Sequence, residues 1–577
     1  DFKTLTDSLD YLADLGVNAI ELMPIMEFEG NISWGYNPSF LLAVDKYYGP
    51  AEDLKRFIDE AHKRGMAVIL DMVHNHHFGR SPLVRLFSSG DFGPPTEENP
   101  WFNVEARHPF NVGFDMNHES AATQHYIDRV NSFWLEEFNF DGFRFDLSKG
   151  FTQKNTRGDV GAWGQFDQSR INILQRMADK IWETDSDAYI ILEHLSEEPE
   201  EIALSEYRTN EGKDGMFLWS KMNREYNQLS MGFFDSDDFP NSIDRAWFGN
   251  TNFSVPNQVT YMESHDEQWL MLRNRTFGNS SNPNHDIKEL EVALDRQKIA
   301  GAFFLTIPGP KMLWQFGELG YGGGPDECLK PGGGSNGECS ASDPGRTGEK
   351  PVRWDYYDDP ERKDLYKTWA ALMKARNDYG IFADPATNVE TSIGEDQAFR
   401  WIKLANDTLE AVVVGNFDVE TREFQLPFNQ NQFGQWFDYF SGNPVNIDAQ
   451  NLNRTFVPGE FRIFTSEPLE TPESGLVTDV EDEGVSGTPQ EFKLKQNFPN
   501  PFNPSTRIEY DLPTSSQVTL EVYNILGRKV ATLINNQRQA AGTHTVNFNA
   551  SSLSSGIYIM VMRAGEFTRT QKMTLIK

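Results

Sequence analysis

The first 380 residues predict an α/β fold built on a parallel sheet, because one helix-and-strand unit recurs along them. In the first unit four leucines from Leu5 to Leu15 follow helical spacing, Gly16 ends the helix, and residues 17–24 form a short apolar run. The same order of amphipathic helix, glycine or turn, and apolar strand returns at 54–73 and at 127–146. Helices that alternate with short buried strands are typical of a parallel sheet.

Seven strands of this type can be placed, and we predict a (β/α)8 TIM barrel whose first strand is absent. They lie at 17–24, 66–73, 141–146, 188–194, 215–219, 258–263 and 311–316. An eight-stranded barrel needs one more strand, and the chain opens on what would be the first helix. We therefore expect that strand upstream of Asp1 and a gap in the barrel. The barrel is expected over residues 1–380, with a short excursion at about 77–117.

Three further segments follow the predicted barrel. Strand-like runs at 381–465 indicate a small antiparallel β domain. Residues 466–490 hold seven acidic and no basic side chains among Pro, Gly, Ser and Thr, so we expect an acidic flexible linker there. Residues 491–577 carry strand-like runs again and are expected to form a C-terminal β-sandwich.

The composition argues against several classes of function. The formal net charge of −34 would repel nucleic acid and is compatible with a neutral substrate. No run approaches the roughly 20 apolar residues of a membrane span, so no transmembrane segment is expected. The two cysteines, Cys328 and Cys339, share one Gly-rich loop. Export would favour a disulfide between them, and two free thiols are the alternative.

Three of the predicted barrel strands end in a carboxylate flanked by polar groups. These carboxylates are Asp146, Glu193 and Asp266. Functional side chains of a βα barrel gather at the carboxyl ends of its strands. A single carboxylate there could simply cap the next helix, but three on one barrel predict a catalytic site. The neighbouring polar residues that we predict to bind substrate are Asp71, His76, Arg144 and His265.

The sequence around these residues resembles the α-amylase family of glycoside hydrolases, which includes amylases, branching and debranching enzymes. Four family motifs match LDMVHNHH, DGFRFD, LEH and MESHD, and two supporting motifs match GVNAIELMP and the FDMN around Asp115. The resemblance covers residues 1 to about 465. It implies hydrolysis of α-1,4-glucans such as starch, glycogen and maltodextrins through a covalent glycosyl-enzyme intermediate, with no cofactor required for the chemistry.

Retaining chemistry assigns different roles to two of the carboxylates. Asp146 is expected to attack the anomeric carbon as nucleophile, and Glu193 to protonate the leaving oxygen as acid/base. Arg144 lies two residues before Asp146 on the same strand face, so its charge is expected to keep Asp146 ionised. Glu193 follows an apolar run, and burial with nearby carboxylates is expected to keep it protonated.

The resemblance also implies substrate contacts. Asp266 would hold sugar hydroxyls, His76 and His265 would hydrogen-bond the reacting sugar, and Tyr36 would stack beneath that sugar. Core packing is the alternative for Tyr36. Three tryptophans are further candidates for sugar platforms: Trp101, Trp219 and Trp269.

The chain departs from the family pattern after the nucleophile and in the excursion. The family's amylases often follow the nucleophile with Lys-His, and this chain has Lys149-Gly150, so contacts on the leaving-group side stay undefined. Asn75 matches a position that often ligates calcium, but the other ligands would lie in the shortened excursion. A structural calcium ion at Asn75 and a site without metal are both open.

Other functions fit parts of the same pattern. His74 and His76 resemble the His-x-His metal pair of barrel amidohydrolases, which needs further histidines on later strands, and only His194 and His265 are candidates. A sugar-binding protein without activity is a second class, and the three carboxylates argue against it. Within the family, glucan branching or another transglycosylation is the alternative to hydrolysis, since a sugar hydroxyl in place of water captures the same intermediate.

The C-terminal segment resembles the sorting domain of type IX secretion. The resemblance rests on LKQNFPNPFNPSTRIEYDLP, VYNILGRKV and SSGIYIMVMRAG. It implies that the type IX secretion machinery exports the protein and that the enzyme is secreted or held on the outer cell surface. A sugar-binding β-sandwich is the alternative for this segment.

Overall fold

A computed structural model describes the chain except residues 31–32, 111, 234–239, 268, 323–351, 396, 478–491, 496, 498–499, 540–541, 552, 566 and 577. The chain divides into two compact units, Asp1–Val480 and Glu481–Lys577. Cys328 and Cys339, and with them the predicted disulfide, lie outside the described residues.

The strands of the first unit are β1 (Ala19–Leu22), β2 (Met26–Phe28), β3 (Pro38–Val44), β4 (Ala67–Met72), β5 (His76–His77), β6 (Phe114–Asp115), β7 (Gly142–Phe145), β8 (Tyr189–Leu192), β9 (Phe217–Lys221), β10 (Gln258–Tyr261), β11 (Lys311–Met312), β12 (Asn388–Ser392), β13 (Phe399–Ala405), β14 (Glu410–Asn416), β15 (Arg422–Gln425), β16 (Gly434–Asp438), β17 (Pro444–Ile447), β18 (Asn453–Phe456) and β19 (Phe461–Thr465). Its helices are α1 (Phe2–Asp7), α2 (Leu9–Leu15), α3 (Ala51–Lys63), α4 (Pro82–Arg85), α5 (Ala121–Phe138), α6 (Val160–Gly164), α7 (Gln168–Thr184), α8 (Glu198–Ser205), α9 (Asn223–Ser230), α10 (Leu270–Phe277), α11 (Leu290–Leu305) and α12 (Pro360–Asp378).

One parallel sheet joins all seven predicted barrel strands, in the order β1-β4-β7-β8-β9-β10-β11. Between them the helices bury their apolar faces, as α3 does with Leu54, Phe57, Ile58 and Ala61. Among the described residues β1 pairs only with β4 and β11 only with β10, so the sheet is open where the sequence predicts a gap. The predicted fold class, an α/β fold of the (β/α)8 TIM-barrel type, is confirmed.

The first and last helices of the barrel meet across this opening. The Tyr11 hydroxyl of α2 donates to Glu318, which follows β11, at 2.5 Å. The Tyr366 hydroxyl of α12 donates to the Tyr11 carbonyl at 2.7 Å, and the Asn377 amide donates to the Gly16 carbonyl at 2.7 Å. Side chains of the helix layer therefore join the two ends of a sheet whose own edge strands do not pair.

Antiparallel strands fill the segment predicted to form a β domain. Six of them form one sheet in the order β12-β13-β14-β19-β16-β17, and β15 pairs with β18. Val412, Val414 and Phe464 pack in the core of this segment. Arg296 of α11 donates to the Phe417 carbonyl at 2.7 Å, which joins the segment to the barrel.

Residues 466–477 differ from the flexible linker that the sequence predicts. Leu476 is only 4% exposed and belongs to the same apolar core as α12. Lys367 of α12 forms an ion pair with Glu473 at 2.5 Å. The composition of this segment suggested disorder because it holds few apolar side chains and many acidic ones. In the structure these side chains find their partners on a helix about 100 residues earlier in the chain. Residues 478–490, the remainder of the predicted linker, lie outside the described residues.

The second unit consists of antiparallel strands, as predicted. They are β20 (Lys493–Leu494), β21 (Ser505–Leu512), β22 (Ser516–Asn524), β23 (Lys529–Gln539), β24 (Gly542–Asn549), β25 (Gly556–Ala564) and β26 (Phe567–Leu575). Two sheets, β20-β21-β24 and β23-β22-β25-β26, enclose an apolar core that includes Leu520 and Met560. In neither unit does a described helix combine the length and the apolar composition that a membrane span requires.

The burial of Glu318 makes the stability of the first unit depend on pH. Burial raises the pKa of Glu318 to about 7, and the hydrogen bond from Tyr11 acts in the opposite direction. Because the folded state binds this proton more tightly than the unfolded chain, the stability from that proton is complete below the unfolded pKa and is lost as the pH rises through about 7. We expect Glu318→Gln to reduce the fall in unfolding free energy between about pH 5 and 8 by on the order of 2 kcal/mol.

Urea unfolding followed by tryptophan fluorescence measures this effect in the first unit alone, since all 13 tryptophans lie at or before Trp436. Glu263 should retain part of the slope, because burial also raises its pKa to about 7. Glu119→Gln, at an exposed position, is the matched control. An unchanged pH slope in Glu318→Gln would contradict the prediction.

Candidate active site

One buried guanidinium lies at the centre of the predicted site. Arg144, on β7, has no exposed side-chain surface. Its Nη1 donates to both carboxylate oxygens of Asp71 at 2.8 Å and to Oδ1 of Asp146 at 3.3 Å. Its Nη2 forms an ion pair with Oε2 of Glu193 at 3.0 Å. Three carboxylates from the ends of three neighbouring strands therefore converge on one cation.

The register of the parallel strands produces this convergence. Phe145 of β7 pairs with Leu192 of β8, so Asp146 and Glu193 directly follow paired positions. The ladder continues past the strand ends, because the Glu193 N–H donates to the Phe145 carbonyl at 3.1 Å. The Asp146 N–H likewise donates to the Met72 carbonyl of β4 at 3.1 Å. The two predicted catalytic carboxylates are thus positioned by the sheet itself.

The charge on Asp146 differs from the expectation that Arg144 alone keeps it ionised. Burial raises the pKa of the Asp146 carboxyl well above its ordinary value, and the neighbouring Glu193 carboxylate adds in the same direction. Arg144 acts against both of these effects and does not cancel them. The Asp146 carboxyl therefore binds its proton more tightly than a free carboxyl does. The sequence predicted that Arg144 lies beside Asp146. It did not indicate how strongly burial opposes the effect of the arginine on the pKa of Asp146.

Tyr36 lies beside this charged group and is half-buried. Its hydroxyl donates to Oδ2 of Asp71 at 2.6 Å, and its ring stacks on His265 with ring centres 4.9 Å apart. The preceding Gly35 has φ of 94°, and a Cβ there would lie 2.2 Å from the Pro24 carbonyl oxygen, so only glycine fits. Asp71 accepts hydrogen bonds from both Arg144 and Tyr36, so its position orients these two side chains.

His76 is buried and both of its ring nitrogens have protein partners. Burial lowers its pKa to about 4, so the ring is neutral. Its Nε2 lies 2.8 Å from the Tyr36 carbonyl and its Nδ1 lies 3.1 Å from the Asn75 amide nitrogen. We assign the proton to Nε2, since the carbonyl can only accept and the amide can donate. His76 thus supports Tyr36, and its bond to a reacting sugar stays a prediction.

Asp266 is the most exposed of the three predicted catalytic carboxylates. Its side chain is 45% exposed, against 13% for Asp146 and 15% for Glu193. Its Oδ2 lies 3.4 Å from Nε2 of His265. The three carboxylates therefore differ in their access to solvent, with Asp266 on the open side.

Two of the candidate sugar platforms are core residues instead. Trp219 is 3% exposed and lies against the Arg144 guanidinium at 4.0 Å, so its face is already covered by a cation. Trp269 is 2% exposed and packs edge-on against Tyr321. Trp101 is half-buried beside Phe87 in the excursion.

Gly150 explains why the histidine of the family's Lys-His pair is absent. A Cβ at this position would lie 2.0 Å from Oδ1 of Asn75 and 3.1 Å from Nε2 of His108. Oδ1 of Asn75 and Oδ1 of Asp115 are both buried without a hydrogen-bond donor, and His108 Nε2 lies 3.5 Å from the latter. Two such oxygens fit a hard cation such as calcium. Asp115, from the excursion, is a candidate ligand that the sequence did not single out.

The metal pair of the amidohydrolase alternative does not form. His74 Nε2 lies 2.9 Å from Oδ1 of Asn131 on α5, whereas His76 is directed to Tyr36, so the two rings serve different neighbours. Within the described ranges no group of three or more His, Cys, Asp or Glu side chains is arranged to hold a metal ion.

Two features of the site were missed from the sequence. Glu21 on β1 has its pKa raised to about 8 by burial, with Arg144 acting against this and Asp71 and Glu193 adding to it. A single carboxylate inside an apolar strand was the available signal. The second feature is Ser148, whose backbone N–H donates to the Glu193 carbonyl at 3.0 Å and whose hydroxyl lies 3.0 Å from the same oxygen. Nothing in the motif spacing indicated that contact.

Comparison with known families agrees with this geometry. The profile described as "Alpha amylase, catalytic domain" matches residues 1–113 and 97–361. The profile described as "Secretion system C-terminal sorting domain" matches residues 496–577.

Among individual relatives, the Cyclomaltodextrinase of Geobacillus thermopakistaniensis is 24% identical over 490 residues, which cover 81% of this chain and 70% of that protein. Alpha-amylase 3 of Dictyoglomus thermophilum is 25% identical over 351 residues, or 57% of this chain and 62% of the relative. The Malto-oligosyltrehalose trehalohydrolase of Saccharolobus solfataricus is 35% identical over 146 residues. The match spans only 24% of that trehalohydrolase's length.

Solved structures show the same fold. The α-amylase of Geobacillus thermoleovorans complexed with acarbose has a TM-score of 0.59 at 19% identity, covering 81% of this chain and 92% of that one. The trehalose-6-phosphate hydrolase of Bacillus licheniformis has a TM-score of 0.60 at 18% identity, covering 81% of this chain and 95% of that one.

The sorting domain indicates export to the outer cell surface or the extracellular space. With its catalytic-domain match over more than half of its length, the chain belongs to the α-amylase family of glycoside hydrolases.

Proposed function

We propose that the protein is a retaining glycoside hydrolase that cleaves α-1,4-glucans through a covalent glycosyl-enzyme intermediate. The observation that carries this proposal is the contact of one buried arginine, Arg144, with both Asp146 and Glu193. Retaining hydrolysis requires two carboxyl groups close together, one to attack carbon and one to transfer a proton. Asp146 and Glu193 meet this requirement for proximity, since both contact the same guanidinium.

In the first step Asp146 attacks the anomeric carbon and the glycosidic bond breaks, while the Glu193 proton passes to the leaving oxygen. Oδ1 of Asp146 accepts from Arg144, so we assign the attack to Oδ2. Oε2 of Glu193 accepts from the Leu147 N–H at 2.9 Å, which leaves Oε1 to carry the proton. In the second step water attacks the same carbon, gives a proton to Glu193 and releases Asp146.

The remaining predicted residues act on the sugar or on its neighbours. We assign Asp266 and His265 to hydroxyl groups of the bound sugar, since Asp266 is on the open side of the site. Tyr36 offers a half-buried ring next to His265 for stacking. Asp71 and His76 support Arg144 and Tyr36 from behind. The substrate is an external α-glucan, because the sorting domain directs the enzyme outward through the type IX secretion machinery.

Product analysis after incubation with amylose tests the proposed reaction. Hydrolysis predicts new reducing ends without new α-1,6 linkages, because water captures the intermediate. New α-1,6 linkages at a constant number of reducing ends would instead identify the chain as a branching enzyme, the alternative within the family. Linkage analysis by proton NMR and a reducing-end assay distinguish these outcomes on one sample.

The nucleophile is tested by Asp146→Asn. We expect kcat on maltooligosaccharides to fall more than about a thousandfold, because an amide cannot form the glycosyl ester. Asp128→Asn is the matched control, since Asp128 pairs with Arg176 between two outer helices. Thermal unfolding of both variants verifies that the fold persists. Substantial turnover by Asp146→Asn would refute the assignment.

We further propose that Asn75 and Asp115 hold a structural calcium ion through their donor-free oxygens, with backbone or water oxygens completing the shell. The ion would neutralise Asp115 and fix the excursion to the end of β4, and it takes no part in the chemistry. We expect millimolar calcium to raise Tm by several degrees relative to EDTA, and Asp115→Asn to abolish that rise, since a ligand that binds only the folded state stabilises it.

Differential scanning calorimetry with calcium, magnesium or EDTA measures this rise, and Asp128→Asn should retain it. Equal Tm values for the wild-type protein in calcium and in EDTA would exclude the site.

A further inference from the structure

A buried chain of polar side chains runs from two outer helices to the acid/base loop. Arg170 of α7 pairs with Glu200 of α8, with Nε–Oε1 at 2.6 Å and Nη2–Oε2 at 2.8 Å. Oε1 of Glu200 lies 2.8 Å from Nε2 of His194, and Nδ1 of His194 lies 3.0 Å from the Ser148 hydroxyl. That hydroxyl lies 3.0 Å from the Glu193 carbonyl. Every member of the chain is almost completely buried.

The same chain also contacts the loop after the nucleophile. Arg170 Nη1 donates to the Lys149 carbonyl at 3.1 Å, and Nη2 donates to the Ser196 hydroxyl at 3.1 Å. Lys149 follows Asp146 by three residues, and Ser196 follows Glu193 by three residues. One guanidinium therefore holds both loops at equivalent positions.

The backbone of these two loops needs such support. Leu147 and Leu195 have positive φ angles of 45° and 50°, a conformation that is unfavourable for a residue with a side chain. The loops also bond each other directly, since Lys149 Nζ donates to the Leu195 carbonyl at 2.6 Å. Backbone strain of this kind persists only where surrounding contacts determine the conformation.

His194 links Glu200 to Ser148 through its two ring nitrogens. The Glu200 carboxylate accepts the proton on Nε2, which leaves Nδ1 of the neutral ring to face the Ser148 hydroxyl. Burial lowers the pKa of His194 and thereby favours the neutral form. The Ser148 hydroxyl then donates to Nδ1 of His194, and the Ser148 backbone N–H donates to the Glu193 carbonyl at 3.0 Å.

We propose that Arg170, Glu200, His194 and Ser148 form a positioning network that sets the orientation of Glu193 relative to Asp146. The four residues act through the backbone of the two loops and none of them is assigned to the reacting atoms. This inference rests on the proposed acid/base role of Glu193. It predicts that loss of the network impairs proton transfer to the leaving group more than it impairs attack by Asp146.

Two substrates that form the same type of glycosyl-enzyme separate these effects. Maltopentaose needs its leaving oxygen protonated, whereas the fluoride of α-maltosyl fluoride departs without a full proton transfer. We expect Ser148→Ala to lower kcat/KM on maltopentaose about tenfold and on the fluoride less than about threefold. Ser205→Ala is the matched control, because Ser205 is buried on α8 and its hydroxyl donates to the Ile202 carbonyl at 3.0 Å. This control should leave both values unchanged.

Glu200→Gln keeps the shape of the side chain and removes the charge opposite Arg170, so it is the second variant. Its effect is judged from the ratio of the two kcat/KM values, because loss of folded protein cancels in that ratio. Equal losses on both substrates, or no loss on either, in Ser148→Ala and Glu200→Gln would overturn the network.

Failure of the proposed function gives a different result. Glu193→Gln must itself lose far more activity on maltopentaose than on the fluoride. If it does not, or if the wild-type protein cleaves neither substrate, then the acid/base assignment is wrong and the positioning role falls with it. A selective loss in Glu193→Gln without one in the network variants overturns only the network.

Discussion

A fully buried arginine costs several kcal/mol of desolvation unless its charge is paired, and Arg144 pairs its charge with three carboxylates. Because Asp71, Asp146 and Glu193 come from the ends of three different strands, the cation joins β4, β7 and β8 at their carboxyl ends. The indole of Trp219 covers the guanidinium and excludes water from it. Removing Arg144 would leave these carboxylates without their shared cation, so the site and the local fold both depend on this residue.

The parallel sheet is open between its edge strands β1 and β11, yet it belongs to one compact unit. The contacts of Tyr11, Glu318 and Tyr366 join the first and last helices by hydrogen bonds rather than by strand pairing. Side-chain bonds between helices do not require a particular strand register. The register-dependent part of the site lies on β4, β7 and β8, which are paired on both sides, although β4 is the direct neighbour of the edge strand β1.

The fold and the main catalytic candidates could be predicted because both follow from local patterns. Short apolar runs that alternate with helical patterns indicate the strands, and Asp146 and Glu193 directly follow two of them. The partners of His76 and Trp219 could not be predicted, since a motif defines a strand position and not the neighbour that a ring will meet. The titration of Asp146 likewise depends on the balance of burial against opposing charges, which is a property of the assembled site.

The contact between Gly150 and Asn75 limits how this sequence can evolve. The Asn75 side chain cannot move aside freely, because its amide nitrogen holds the ring of His76 and the residue is completely buried. Restoring a histidine at position 150 by a single substitution would therefore disturb Asn75, then His76 and the Tyr36 loop beyond it. The two positions are therefore coupled: a side chain at position 150 requires the Asn75 amide group to move or to be replaced, whereas a change at position 75 beside Gly150 creates no such clash.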